Sequence, residues 1–175
     1  MTISFMNVSK ESYWQLALDK TETAIETKAL IPLTTIIDNS NFIKSETFEI
    51  RKLIDKKKLK IKNKSDQNNP FLPWDPRLEI ATIGNKHVLI LNKYPVQYGH
   101  MLLITSNWSP QSSWLNHSDW NAVSNVENNT SGLWFFNSGP KAGASQGHKH
   151  IQLLPRSEIE AICPRENWIK SKINQ

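Results

Sequence analysis

Apolar positions along the chain shift from a helical to a strand-like spacing on either side of a proline-rich break. Between residues 9 and 30, Tyr13, Trp14, Ala17, Ala24 and Ile25 recur among charged residues, which predicts a surface helix ended by Pro32. Residues 34–54 alternate only weakly; toward their end Phe48 and Ile50 would share one side of a strand, with Glu49 and Arg51 on the other. Residues 65–76, SDQNNPFLPWDP, hold three prolines and two adjacent asparagines. Each proline fixes its own φ and removes a backbone donor, so this stretch predicts an extended, turn-rich arm.

Beyond the arm the pattern is that of strands: 78–83, a hairpin turn at Gly84-Asn85, 87–92, and a further apolar run at 101–105. Residues 113–126 place Trp114, Leu115, Ala122, Val123 and Val126 among polar residues and predict a crossing helix that Asn128 and Asn129 would end. Short apolar runs at 133–136 and 151–154 flank a glycine-rich loop. Several short strands joined by turns, with helices before and between them, argue for an α+β fold: an antiparallel sheet with flanking helices. The chain contains no internal repeat or low-complexity segment.

Composition narrows this picture. A chain of 175 residues with 38% hydrophobic content is expected to form one domain, 1–175, with a core that needs no disulfide or structural metal. The lone cysteine, Cys163, excludes an intramolecular disulfide and a multi-cysteine metal site, and fits a reducing compartment. The aliphatic runs at 88–91 and 101–104 are too short to cross a bilayer, and the first residues lack a secretory signal, so the expected location is the cytoplasm. The formal charge is +5, yet residues 51–64 alone hold 8 basic residues and 1 acid. So local a tract does not make a nucleic-acid face; it reads as an anion site or as a solvated lysine loop, and charge alone favours the loop. Trp108, Trp114, Trp120 and Trp134 are expected as core or loop anchors, and Trp74 likewise unless it stacks on a base.

Candidate chemistry lies in residues 137–152, NSGPKAGASQGHKHIQ. On a strand His148, His150 and Gln152 would line one side while Lys149, Ile151 and Leu153 point to the other. Three polar side chains facing the same way do not make a core. The preceding glycines and small residues, Gly143 and Ala144 among them, would let backbone N–H groups approach an anion. A neutral imidazole held by its other nitrogen is a competent nucleophile toward phosphorus, and a carboxamide such as Gln152 can donate to phosphoryl oxygens without carrying charge. A metal pair and incidental surface histidines are the alternatives; the spacing and the missing cysteine or carboxylate partners disfavour a metal.

With NPFLPWDP and LNKYPVQYGHMLLIT upstream, NSGPKAGASQGHKHIQLLP closely resembles the diadenosine tetraphosphate phosphorylase (ATP adenylyltransferase) family. That family is a transferase branch of the histidine-triad superfamily related to galactose-1-phosphate uridylyltransferase. The close match covers residues 69–155; residues 1–68 match loosely, through FEIRKLIDKKK. The resemblance implies a histidine-triad-like sheet. It implies that His150 is the nucleophile that becomes adenylylated, that Gln152 bonds the transferred phosphoryl oxygens, and that His148 shapes the pocket and orients the nucleophile. Ser145 and Gln146 would contact polyphosphate, and Asn137 would sit beside the α-phosphate or ribose. Lys93 and His100 match family positions by their surroundings, and Lys56, Lys57, Lys58 and Lys60 compete for one phosphate contact, which recasts the basic tract as a polyphosphate clamp.

The implied reaction is phosphorolysis of diadenosine tetraphosphate to ATP and ADP through an adenylyl-histidine, with magnesium accompanying the nucleotide and no tightly bound cofactor. Expected partners are therefore the dinucleoside polyphosphate, ATP, ADP and inorganic phosphate, with no membrane or nucleic acid; nothing in the sequence assigns an oligomeric state. The family continues well past its H-x-H-x-Q strand, whereas Gln175 lies close behind Gln152. A nucleotide-binding relative without turnover is accordingly one alternative. A dinucleoside polyphosphate hydrolase is another, disfavoured because Gln152 replaces a third histidine.

Overall fold

A computed structural model describes residues 12–37, 51–54, 69–157 and 166–173. Helix α1 spans Tyr13–Glu26 and starts where Ser12 Oγ accepts the Gln15 N–H at 3.1 Å. Its next orphan donors are also satisfied: Tyr13 and Trp14 N–H groups reach Asn129 Oδ1 and Thr130 Oγ1 at 2.5 and 3.0 Å. Ala17, Thr21 and Ala24 form its buried stripe. The helix is shorter than the predicted 9–30. The chain leaves it at Lys28, whose φ of 57° is left-handed, and Leu30 N–H closes on the Ala24 carbonyl at 3.0 Å, so a C-terminal turn stops the helix before Pro32. Residues 9–11 lie outside the described residues.

Strands β1 (Thr35–Ile37) and β2 (Arg51–Leu53) form an antiparallel ribbon with Ile36 opposite Lys52. Phe48, Glu49 and Ile50 lie outside the described residues. The arm, described from Asn69, turns and ends in a 3-10 turn, Pro76–Leu78, capped by Asp75, whose carboxylate takes the Arg77 N–H at 3.0 Å.

The main sheet contains β3 (Glu79–Ile83), β4 (His87–Leu91), β5 (Met101–Thr105), β6 (Gly132–Phe135) and β7 (His150–Pro155), in the order β3-β4-β5-β7-β6, all antiparallel. β4 and most of β5 are buried, which is why they read as unbroken apolar runs. The last strand of this sheet, β7, inserts between β5 and β6, so the candidate histidine strand is an interior one, paired on both sides. The result is the expected α+β fold.

Helix α2 (His117–Glu127) begins four residues later than the predicted 113–126 because Asn116 caps it. Asn116 Oδ1 accepts the Ser118 and Asp119 N–H groups at 2.8 and 3.1 Å, and Asp119 Oδ2 accepts the Asn116 N–H at 2.9 Å. Trp114 is thereby left outside the helix with 93% of its surface exposed, and Trp108 and Trp120 are also exposed. These three are not the anchors expected of them. Trp74 and Trp134 are partly buried, their Nε1–H groups bonded to Glu79 and Glu127. Helix α3 is Glu166–Ile173. Among the described residues no helix is long and apolar enough to cross a membrane.

Candidate active site

The alternation expected of His148, His150 and Gln152 is realised only for the last two: His148 precedes β7, is buried and does not line the cavity. His150 and Gln152 line a cavity of about 700 Å³, whereas Lys149 between the histidines points into a different buried environment. The Phe71 ring, from the arm, packs edge-on against His148 at 5.6 Å and tilted against His150 at 5.3 Å. Residues from the arm, β4, the 92–100 segment, β6 and the glycine-rich loop complete the wall.

Hydrogen-bond polarity fixes both tautomers. Phe71 N–H donates to Asn69 Oδ1 at 3.0 Å, so Asn69 Nδ2 is the atom facing His148 Nδ1, at 2.8 Å. His148 Nδ1 is therefore an acceptor, and its Nε2–H donates to the Thr105 carbonyl at 2.9 Å, beside Thr105 Oγ1 at 2.8 Å. The His148 main-chain carbonyl can only accept, so His150 Nδ1 carries the proton that meets it at 2.8 Å. The lone pair of His150 then resides on Nε2, the nitrogen a phosphorus electrophile would meet. Burial pushes the pKa of both imidazoles down from the ordinary histidine value, with their mutual repulsion adding to the effect on His148.

Gln152 is aimed by a third histidine. His100 Nε2 lies 3.1 Å from Gln152 Oε1, and Asn92 Nδ2 sits 3.3 and 3.5 Å from the two ring nitrogens of His100. Burial lowers the His100 pKa to about 4, so the ring is neutral near pH 7 and its single N–H serves Gln152. With Oε1 occupied, the Gln152 amide N–H groups meet no acceptor among the described residues and can serve a ligand.

The loop departs in part from the expected anion cradle. Gly139 and Gly143, at φ 118° and 93°, flank a 3-10 turn at Pro140–Ala142, a path that positive φ makes strained for other residues. The amides of Ala142 and Ala144 donate to the Gly139 carbonyl and that of Gly143 to Pro140, each at 3.0 Å, so they are consumed within the loop. Ala144 is off the cavity wall, whereas Asn137, Gly143, Ser145 and Gln146 line it. The amides of Ser145, Gln146 and Gly147 meet no acceptor among the described residues. Lys93 lines the cavity as well. Lys56, Lys57, Lys58 and Lys60 lie outside the described residues, as does Cys163.

Two features escape a sequence reading. On the side of β7 away from the cavity, Lys149 Nζ meets Asp119 Oδ2 and His87 Nε2 meets Asp119 Oδ1, both at 2.9 Å and all three side chains buried. Burial opposes ionisation of Asp119, but the Asn116 N–H, His87 and Lys149 together hold its carboxyl below the usual value. The second is Gln111, also buried, whose carboxamide bonds main-chain groups of His150 and Asn137. The capping pattern N-x-x-D at Asn116 was a readable signal for Asp119; Gln111 left none. Among the described residues no three His, Cys, Asp or Glu side chains form a metal-ligand cluster.

The family model described as Ap4A phosphorylase N-terminal domain matches residues 4–170. Diadenosine 5',5'''-P1,P4-tetraphosphate phosphorylase 2 of Saccharomyces cerevisiae is 35% identical over 108 residues, which cover 54% of this chain and 33% of the relative. Protein APA1 of the same yeast is 38% identical over 88 residues, 46% of this chain and 27% of the relative. Among solved structures, yeast Ap4A phosphorylase Apa2 in complex with Ap4A superposes with a TM-score of 0.69 at 26% identity, over 87% of this chain and 54% of that one. Its complex with AMP gives 0.68 at 26% identity, over 86% and 52%. The match thus spans between about a quarter and a third of the length of these curated relatives.

Proposed function

The chain belongs to the Ap4A phosphorylase N-terminal domain family, and from that membership and the site we infer that it is a nucleotidyltransferase cleaving diadenosine tetraphosphate by phosphorolysis. One observation carries the reading: His150 Nδ1–H is held by the His148 carbonyl at 2.8 Å, which leaves a neutral Nε2 lone pair at a cavity wall rich in uncharged donors. One curated relative is a phosphorylase of the same dinucleotide, and yeast Ap4A phosphorylase Apa2 was solved with Ap4A bound.

His150 Nε2 attacks the α-phosphorus, forming an N–P bond while the bridging oxygen leaves with its electron pair as ATP. The imidazole becomes cationic, and its Nδ1–H stays on the His148 carbonyl, which stabilises the developing charge. Inorganic phosphate then attacks the same phosphorus, the N–P bond breaks, and ADP departs with His150 neutral again. Because phosphoryl transfer depends mainly on positioning and electrostatics, the Gln152 amide and the free Ser145 and Gln146 amides are suited to hold the equatorial oxygens, with Lys93 neutralising charge. Asn137 lines the same wall, and Lys57 and Lys58, outside the described residues, are assigned to the polyphosphate from the sequence alone. Magnesium arrives on the polyphosphate as part of the substrate. The single cysteine fits a reducing compartment such as the cytoplasm.

The test is incubation of the chain with Ap4A and magnesium, with and without phosphate, followed by anion-exchange separation. ATP plus ADP formed only with phosphate is expected, and His150→Ala abolishes both products and the labelled intermediate. ATP plus AMP formed without phosphate would mean a hydrolase, and binding without products a domain that needs the remainder of its relatives' length. AMP still attached to a histidine in His150→Ala refutes the assignment of the nucleophile.

A further inference from the structure

His150 lacks a strand partner on the β6 side of β7. The β6–β7 ladder runs from Gly132 opposite Pro155 to Phe135 opposite Gln152. Continued in register it would next set Asn137 against His150, as the following hydrogen-bonded pair. The strands part there instead, and the Gln111 carboxamide fills the gap. Its Oε1 accepts the His150 N–H at 2.7 Å, and its Nε2 donates to the His150 and Asn137 carbonyls at 3.1 and 2.8 Å.

All three partners are main-chain groups, whose polarity cannot reverse, so the orientation of the amide is determined. The side chain supplies what a neighbouring peptide group would supply in an unbroken ladder, and it spreads Asn137 and His150 by the width of one amide. Gln111 is in turn held to the strand's lead-in: its own N–H donates to the Gly147 carbonyl at 2.8 Å, and Lys149 N–H donates to Ser109 at 2.7 Å. At 2% exposure it does not reach the cavity, whereas both residues it separates line the wall.

We propose that Gln111 is a positioning residue for the transfer reaction, a side-chain rung that sets the distance between the His150 nucleophile and the Asn137 wall. The proposal rests on the reading of His150 as nucleophile given under Proposed function. Without the amide, either the two strands close into a direct rung and narrow the site, or three buried main-chain groups lose their partners. Both outcomes displace Nε2 from its line of attack, and in-line displacement is sensitive to such shifts: misplacement by about 1 Å costs on the order of 100-fold in rate.

The experiment uses the 175-residue chain and two variants of similar side-chain length, Gln111→Met and Gln111→Glu, neither of which can donate to both carbonyls. Single-turnover formation of adenylyl-histidine from Ap4A, AMP affinity by calorimetry, and hydrogen exchange at the His150 amide are read together. The expected result is adenylylation slowed on the order of 100-fold with AMP affinity retained and faster His150 amide exchange. Adenylylation at the parental rate in a folded variant overturns the proposal, as does loss of AMP affinity in step with rate, which would mean general collapse. If neither variant folds, the parent decides by NMR: slowly exchanging Gln111 side-chain amide protons coupled across hydrogen bonds to the His150 and Asn137 carbonyls support the rung, and freely exchanging ones overturn it. A parent that never forms adenylyl-histidine removes the functional reading and this proposal with it, whereas an active parent with equally active variants removes this proposal alone.

Discussion

At the residue scale, the nucleophile's availability is set by burial. His150 is neutral only while its pKa stays below the working pH, and burial pushes that value under the ordinary 6.5 for histidine. The acid limb of adenylylation should therefore have its midpoint below pH 6.5. Quench-flow measurement of the first half-reaction, without phosphate so that phosphate ionisation plays no part, checks this; a midpoint at or above 6.5 means the imidazole is more solvated than its surroundings indicate. A second residue-scale constraint concerns space. A Cβ at Gly132 would lie 2.4 Å from the Leu154 carbonyl oxygen and 2.9 Å from Pro155 Cα, both backbone atoms that cannot step aside. Gly132→Ala should cost about 1–3 kcal/mol by forcing β6 off β7, read as a lower urea midpoint at unchanged slope.

At the scale of elements, the buried group of His87, Asp119 and Lys149 joins three of them: β4, the N-terminus of α2, and the lead-in to β7. Removing Asp119 leaves a buried ammonium uncompensated and also breaks the capping box. Asp119→Ala should destabilise by about 3–5 kcal/mol, whereas replacing both charges, Asp119→Leu with Lys149→Met, should recover much of that loss. Chemical denaturation of the single and double variants checks the pair, and a double variant no more stable than the single one would mean that the cap, not the charge, dominates.

The same elements mark what the sequence discloses. β4 and β5 were legible because a buried strand is an uninterrupted apolar run, and the shared face of His150 and Gln152 was legible because strand alternation is strict; His148 departs from it because the strand begins only at His150. The end of α1 was not, because a lysine takes the left-handed position where glycine is the usual signal. The burial of Lys149 was not, because its partner Asp119 is 30 residues away along the chain. Gln111 was silent for a different reason: it bonds main-chain groups, which every residue carries and which leave no side-chain pattern.

For the molecule as a whole, the cavity wall joins an arm, an interior strand and a loop, and its two histidines, His100 and His150, together with the buried His148 beside them, must all be uncharged for the parts to fit. His100 is the strongest case, lowered to about 4 by burial, and His148 and His150 shift in the same direction. In the unfolded chain these groups take up protons near pH 6.5, whereas folded they do so later, so the unfolded state binds more protons in between and stability rises with pH there. Stability is therefore complete above about pH 6.5 and is lost as pH falls toward 4, by on the order of 3 kcal/mol from His100 alone. Asp119 acts in the same direction but in a lower window, because its depressed carboxyl is protonated only below the usual carboxylate range. Urea titrations from pH 7 to pH 4 should show this slope, and His100→Gln, which keeps a donor toward Gln152 but does not titrate, should flatten it. An unchanged slope in that variant would place the titrating groups elsewhere and remove the argument that the neutral histidines of the cavity are what tie this fold to pH.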